Sequence, residues 1–497
     1  MTGTVVPAGM GELAALGPVV WASLWAMLVL VVEAVRRDSS WRGMGWLSLI
    51  GLGLGMAIAG LYSGEPQAFS TALVVDSYAI YFNLLLAILT AAAVMMAMDY
   101  LPFTGVVARE YYPLVLFAVA GLMIMAAATD LVVMFLGLET MSIAVYALAG
   151  LWRGQMRSTE AALKYFLLGA FASAILVYGI ALIYAETGST VLVGVAEGIS
   201  GGADAGVLMA GVAMLMVGFG FKVAAVPFHL WTPDVYEGSP TSVTVFMATV
   251  VKAGAFAALL RTLVVALAPL HEQIYPLLAV AAVATMTLGN LAALAQTSLK
   301  RMLAYSSIAH TGYLLVGLAA VAAQGATSAV GGVNSVEATG SVLFYLAVYG
   351  AMNLGVFGIM MLLARVDYGA EDIDDLAGLS RRHPLLAATM TVFLLSLTGF
   401  PPLGGFIGKL YVFAAALDAG LVWLVVVAVV NSVVSAVYYL GVVRAMYFDQ
   451  GQDGRAVYDG ARPYLAVAVA MALVATLALG LFPSGLMEAA SGHLAGG

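Results

Sequence analysis

Lys164, Lys222, Lys252 and Lys409 each fall inside a long apolar stretch of this 497-residue chain. Glu139, in LVVMFLGLETMSIAVYAL, sits near the centre of another, and His229 and His310 occupy comparable surroundings. A charged side chain at the middle of a membrane helix costs about 2.5–3.5 kcal/mol on insertion scales. Such a residue therefore faces a partner or a water-filled path. Amine, carboxylate and imidazole all exchange protons, so the chemistry open to this set is proton transfer. Other chemistries lack their residues. With no cysteine there are no disulfides, iron–sulfur ligands or thiolate zinc sites, and the five histidines are not spaced as metal ligands.

Two of these lysines flank an interruption. The stretch from Gly218 to Lys252, GFGFKVAAVPFHLWTPDVYEGSPTSVTVFMATVVK, places Lys222 before Pro227, His229 and Pro233, and Lys252 in the following apolar segment. A second interruption follows Leu397. Gly399, Pro401, Pro402, Gly404 and Gly405 break an apolar stretch of 384–417 that is too long for one simple span, and Lys409 comes just after. Glu139 is expected to pair with Lys222, since a lone buried carboxylate keeps its charge only beside a cation. Lys164 lies less than two turns into its stretch, within reach of the membrane surface. His310, beside Ser306, Ser307 and Thr311, suits either a proton relay or a hydrogen-bonded structural role.

The elements that must hold these residues are membrane helices. The chain is 63% hydrophobic and only 9% charged, with a mean hydropathy of +1.03. About fourteen apolar runs have the length of a span, near 12–36, 45–63, 75–99, 111–129, 130–152, 159–186, 205–230, 239–268, 274–297, 300–322, 336–365, 384–417, 420–448 and 462–487. Continuous rather than alternating hydrophobicity excludes a β-barrel. The connections are too short for an extramembrane domain, and the N-terminus has no basic region that would mark a cleavable signal. GLGLG at 51–55 lies inside a span with no strand before it, which reads as close helix packing rather than a dinucleotide loop. The Gly-rich segments 186–206 and 323–337 read as connectors, and the acidic segment around Glu371–Asp375 as a solvated loop.

The broken segments are the seventh and twelfth, five apart. An odd repeat inverts its second copy, and paired interruptions mark inverted repeats in transporters. The expected organisation is therefore 1–110 for helices 1–3, 111–268 for a first five-helix repeat, 269–448 for its inverted copy and 449–497 for helix 14. The fold class expected is an all-α polytopic membrane protein of about fourteen transmembrane helices, with a broken helix in each repeat.

Basic residues set the orientation. Arg36, Arg37, Arg42, Arg109, Arg153, Arg157, Lys300, Arg301, Arg365, Arg381, Arg382, Arg444, Arg455 and Arg462 fall on one side, and Arg261 alone on the other. By the positive-inside rule the arginine-rich side is cytoplasmic and both termini are external. No arginine is expected inside a span, whereas four of the five lysines are. Arginine does not release its proton in a protein, while a lysine taken out of water can. The net charge of −8 argues against a nucleic-acid partner.

FKVAAVPFHLWTPDVYEGSPTSVTVFMATVVKAGAFAALLR, NLAALAQTSLKRMLAYSSIAHTGYLL and LTGFPPLGGFIGKLYVF, in this order and spacing, closely resemble subunit N of NADH-quinone oxidoreductase, an antiporter-like membrane subunit of respiratory complex I. The resemblance runs from the third span onward, and lysine rather than glutamate at 409 favours subunit N over its sister subunits M and L. It implies a proton-pumping channel in a bacterial inner membrane, with Glu139, Lys222, Lys252 and Lys409 at the family's fifth-, seventh-, eighth- and twelfth-span positions. Lys164 and His310 match positions on the family's polar axis, and His229 would help link Lys222 to Lys252. No cofactor is implied in this chain. NADH, flavin, iron–sulfur clusters and quinone belong to partner subunits, and the sister antiporter-like subunits are further partners. The rival readings are a subunit of a multisubunit cation/proton antiporter, a membrane scaffold with a vestigial polar axis and, less well matched, a substrate transporter with a larger polar cavity.

Overall fold

The computed structural model describes residues 16–35, 41–61, 67–104, 109–327, 333–364, 371–450 and 462–492. Arg36, Arg37, Arg365 and Arg455, the signal-peptide reading and both termini lie outside the described residues.

Apolar runs become helices because a backbone away from water must satisfy its own hydrogen bonds. The chain begins with α1 (Gly17–Val35) and α2 (Trp41–Leu61). A two-stranded antiparallel hairpin, β1 (Gln67–Phe69) and β2 (Leu73–Val75), then leads into α3 (Ser77–Phe103). Next come α4 (Tyr111–Ala127), α5 (Leu131–Ala149), α6 (Met156–Thr187), the short α7 (Leu192–Ser200), and the two halves α8 (Ala205–Val223) and α9 (Trp231–Gly238). They are followed by α10 (Thr241–Ala266), α11 (His271–Leu294), α12 (Leu299–Thr327) and α13 (Val333–Leu363). The twelfth apolar run is two half-helices, α14 (Pro384–Thr398) and α15 (Gly404–Asp418). The described chain closes with α16 (Val422–Tyr447), α17 (Pro463–Leu481) and the short α18 (Ser484–Gly492).

Among the described residues, twelve helices are long and apolar enough to cross a membrane, and α4 and α14 are shorter apolar helices. Each of the fourteen expected runs thus has its helix or helix pair. Aspartates start three of them. Asp76 caps α3 through the Ala79 amide, Asp130 caps α5 through Val132 and Val133, and Asp204 caps α8 through Gly206.

The bundle is layered around α10, α12 and α13, whose apolar windows are wholly buried, while α1, α6, α16 and α17 form the outer wall. Glycines allow close crossings. A Cβ on Gly51 would strike the Trp25 indole, and one on Gly289 the backbone of α12 at Ala309.

Two connections differ from expectation. The segment 186–206 contains α7, held by the Asp130–Val191 bridge and by Thr190 donating to Asp130 at 2.6 Å, so it is docked rather than loose. The acidic segment is also structured. Residues 371–373 run against 297–299, with Leu299 N donating to Glu371 O at 2.7 Å and Ile373 N to Thr297 O at 2.9 Å.

The expectation that no arginine enters a span fails at Arg261. It lies within α10, is buried, and forms a two-pronged ion pair with Asp76 at 2.7 and 2.9 Å, over the Tyr78 ring. The carboxylate that caps α3 supplies the counter-charge that makes this tolerable. Lys300, assigned by its position to the surface, is buried as well.

Candidate functional site

The site lies where the two broken segments meet the three buried helices. α8 ends at Ala224, which takes a left-handed conformation with φ +61°, and α14 ends at Gly399 with φ +93°. Three residues further on stand Pro227 and Pro402, each after a cis peptide. A helix that stops inside a bundle leaves carbonyls without intrahelical partners. At the first break Trp231 Nε1 donates to Phe221 O at 2.9 Å and Thr311 Oγ1 to Val223 O at 2.7 Å. At the second, Lys409 Nζ donates to Leu397 O at 3.0 Å and Thr398 O at 2.8 Å.

Three lysines share one environment. Lys222 is 4% exposed, and its Nζ donates to Ser142 Oγ at 2.7 Å and Tyr146 Oη at 3.1 Å. Lys252 is 2% exposed and donates to Ser307 Oγ at 2.5 Å, Ser307 O at 2.7 Å and Thr311 Oγ1 at 3.0 Å. Lys409 is 4% exposed and adds Ser432 Oγ at 2.9 Å to its two carbonyls. Each ammonium also stands over a tyrosine ring, Tyr146, Tyr349 and Tyr313 respectively, at 5.2, 5.2 and 4.7 Å from the centroid. Their hydrogen-bond partners among the described residues are all hydroxyls or carbonyls. A π-helical turn, Met247–Val251, immediately precedes Lys252 and loosens the helix at that point.

The expected Glu139–Lys222 ion pair does not form. Glu139 is half-buried and accepts from Ser173 Oγ of α6 at 2.5 Å. Ser142, one turn along α5 from Glu139, accepts from Lys222 instead.

His310, buried on α12, contacts Tyr345 Oη through Nδ1 at 2.6 Å and Tyr439 Oη through Nε2 at 3.2 Å. Tyr439 in turn is hydrogen-bonded to Ser306. Tyr349 donates to Ser307, the partner of Lys252, at 2.9 Å. Asn290 joins Tyr313 at 3.1 Å, Asn431 at 3.2 Å and Tyr438 at 3.0 Å. Tyr313 underlies the Lys409 ammonium, and its ring stands 5.6 Å from that of His310.

Two expected members stand apart. His229 is buried in the first break, but its Nδ1 has no hydrogen-bond partner and it bonds neither lysine. Lys164 is 43% exposed at the side chain and lies in a charged cleft of about 250 Å³, pairing with Glu160 at 2.7 Å and Asp234 at 2.9 Å. Arg301 completes that cleft, bridging Asp234 at 2.9 Å and Glu237 at 2.7 Å. At the other end, a cavity of about 700 Å³ beside α15 is lined by Glu337, Tyr411, Asp418 and Glu488.

The sequence reading missed the tyrosines and most of the hydroxyls. A signal was present: Glu139, Ser142 and Tyr146 are spaced i, i+3, i+7, and Tyr345, Tyr349 and Asn353 are spaced i, i+4, i+8, so each set stripes one face of an otherwise apolar helix.

Residues 128–435 match the family described as NADH:quinone oxidoreductase/Mrp antiporter, TM. NADH-quinone oxidoreductase subunit N of Trichlorobacter lovleyi is 42% identical over 95% of this chain and 94% of its own length. The subunit N of Chloroflexus aggregans is 41% identical over 95% of both chains. A chain of respiratory complex I from Thermus thermophilus with bound aureothin superposes with a TM-score of 0.78 at 37% identity, covering 95% of this chain and 98% of that one. A chain of the Mrp complex from Dietzia sp. has the same fold, with a TM-score of 0.81 at 22% identity over 98% of this chain and 96% of its own.

Proposed function

Because this chain belongs to the family of NADH-quinone oxidoreductase subunit N, the antiporter-like membrane subunits of respiratory complex I, we propose that it carries protons across the membrane along Lys222, Lys252, His310 and Lys409. The supporting observation is the set of partners around Lys222, Lys252 and Lys409. Hydroxyls and carbonyls solvate both an amine and its ammonium, whereas a buried two-pronged carboxylate would lock the charge in place. Arg261, a buried cation gripped by both oxygens of Asp76, illustrates the alternative. Glu139 acts as the adjustable charge. When it nears Lys222 it favours the protonated amine, and when it withdraws toward Ser173 it favours release. Lys164 belongs to the entrance on the arginine-rich side, and His229 responds to changes at the first break.

The driving energy comes from quinone reduction in partner subunits, which hold the NADH, flavin, iron–sulfur and quinone sites. Among the described residues of this chain there is no His/Asp/Glu cluster that would hold a metal, and the sequence has no cysteine. Residues 111–268 and 269–448 are two inverted copies of one five-helix unit. The arginine-rich end faces the cytoplasm of a bacterial inner membrane and the termini face outward.

The test is dye-monitored proton uptake into inside-out vesicles that carry the assembled complex, compared with quinone reduction in the same vesicles. Lys222→Met, Lys252→Met and Lys409→Met should each lower the proton-to-electron ratio in an assembled complex. A ratio equal to wild type in all three would leave the scaffold reading standing. A requirement for sodium would favour cation/proton antiport.

A further inference from the structure

Lys300 is the fifth lysine of the chain. It is the second residue of α12 and is 1% exposed. Its Nζ donates to Ser239 O at 2.5 Å and lies 3.4 Å from the Glu371 carboxylate, which is 25% exposed. A lysine at this end of a helix would ordinarily extend to the surface. This one is turned inward, and a partly exposed carboxylate links it to solvent.

What it faces is α9. Thr232 and Tyr236, spaced i, i+4, share one face of that half-helix, and Ser239 is the extended residue that caps its C-terminal end. Asp234 and Glu237 lie on other faces and are tied to Lys164 and Arg301. Thr232 Oγ1 and Ser239 Oγ are fully buried and have no hydrogen-bond partner. Between them, Tyr236 faces the Ser307 side chain, which accepts the Lys252 ammonium. Buried hydroxyls without a protein partner are satisfied by ordered water. Lys300 itself uses two of its three donors.

We infer that Lys300 and Glu371 form a proton-uptake site that feeds Lys252 along the hydroxyls of Thr232, Tyr236 and Ser239. The route does not pass through Lys222. A solvent proton binds the Glu371 carboxylate, forming an O–H bond. That bond breaks as the proton moves to the Lys300 amine. Lys300 then gives up one N–H proton to the hydroxyl chain. Tyr236 and Ser307 each accept a proton on oxygen while passing on their own, and the Lys252 amine gains the last one. Charge and protons balance at every step. Because α9 is the half-helix beyond the first break, motion at the break opens or closes this chain.

The inference rests on the proton-carrying reading above, and its test separates the two. A structural alternative exists, because a cation on the carbonyl of Ser239 also caps the end of α9. Lys300→Arg keeps the charge and the donors but cannot release a proton. In vesicles carrying the assembled complex, Lys300→Arg and Tyr236→Phe should lower the proton-to-electron ratio, by less than Lys252→Met does because the feed through Lys222 remains. A wild-type ratio in Lys300→Arg, with the loss present in Lys252→Met, overturns the uptake site and leaves a structural cap. A wild-type ratio in Tyr236→Phe overturns the route along α9. A wild-type ratio in Lys252→Met removes the proton reading itself.

Discussion

The two broken segments, 205–238 and 384–418, solve one problem in different ways. Aligned on their left-handed residues, Ala224 with Gly399, they also align Pro227 with Pro402, Trp231 with Phe406 and Tyr236 with Tyr411. The lysines do not align. Lys222 precedes its break, opposite Leu397, and Lys409 follows its break, opposite Asp234. Both lysines therefore lie on the half-helix that extends toward the Arg261 end of the bundle, although the two segments run in opposite directions. The break is the shared element, and the charge has been placed separately so that the two amines flank the same buried centre.

The second difference concerns duty. Lys409 caps the carbonyls that its own break exposes, whereas Trp231 and Thr311 do that work at the first break and leave Lys222 with hydroxyls only. The largest effect that tests this comparison is on the lysines. Lys409→Met should abolish the share of proton translocation carried by this chain, and Lys222→Met should lower it. Only Lys409→Met should also lower the thermal stability of the solubilised complex, by about 1–3 kcal/mol for the orphaned Leu397 carbonyl, since Thr398 O keeps Ser432 Oγ at 3.1 Å. Equal stability in the two variants would show that Lys409 has no capping role.

Glu139→Gln should come next. It retains the Ser173 hydrogen bond but removes the charge, so translocation should fall sharply while the complex still assembles, as judged by native gel mobility. Gly399→Ala follows. An alanine in the left-handed region costs about 1–2 kcal/mol. Its Cβ would also meet Lys409 Cδ at 3.1 Å, so both the melting temperature and translocation should drop. The smallest effect is expected of Ala224→Gly. It relieves strain at the first break but gives the unfolded chain more freedom, so the net change in stability should stay within about 1 kcal/mol. A large loss there would mean that the first break is shaped by contacts of the Ala224 methyl rather than by backbone conformation.

Much of this was legible without coordinates. The fourteen apolar runs, both interruptions and the burial of Lys222, Lys252 and Lys409 follow from local composition, because hydropathy and Pro or Gly content act where they occur in the chain. The misread residues have a common cause. Arg261 was placed outside a span because its counter-charge, Asp76, lies 185 residues away. Lys300 was placed at the surface because its partners, Ser239 and Glu371, come from two other segments. Glu139 was given to Lys222 because both are charged, whereas Ser142 and Ser173 stand closer.

The sequence by itself determined the solvent of this protein, the number of its apolar runs, the positions of the two breaks and the kind of group that is buried. These depend on transfer free energies summed over neighbouring residues. The tertiary structure decided which side chains meet. Hydroxyl against lysine, carboxylate against arginine, and Tyr236 and Ser239 against Ser307 and Lys300 are choices made at about 3 Å between distant segments. Hydrogen bonds are that short and directional, and hydropathy does not encode them.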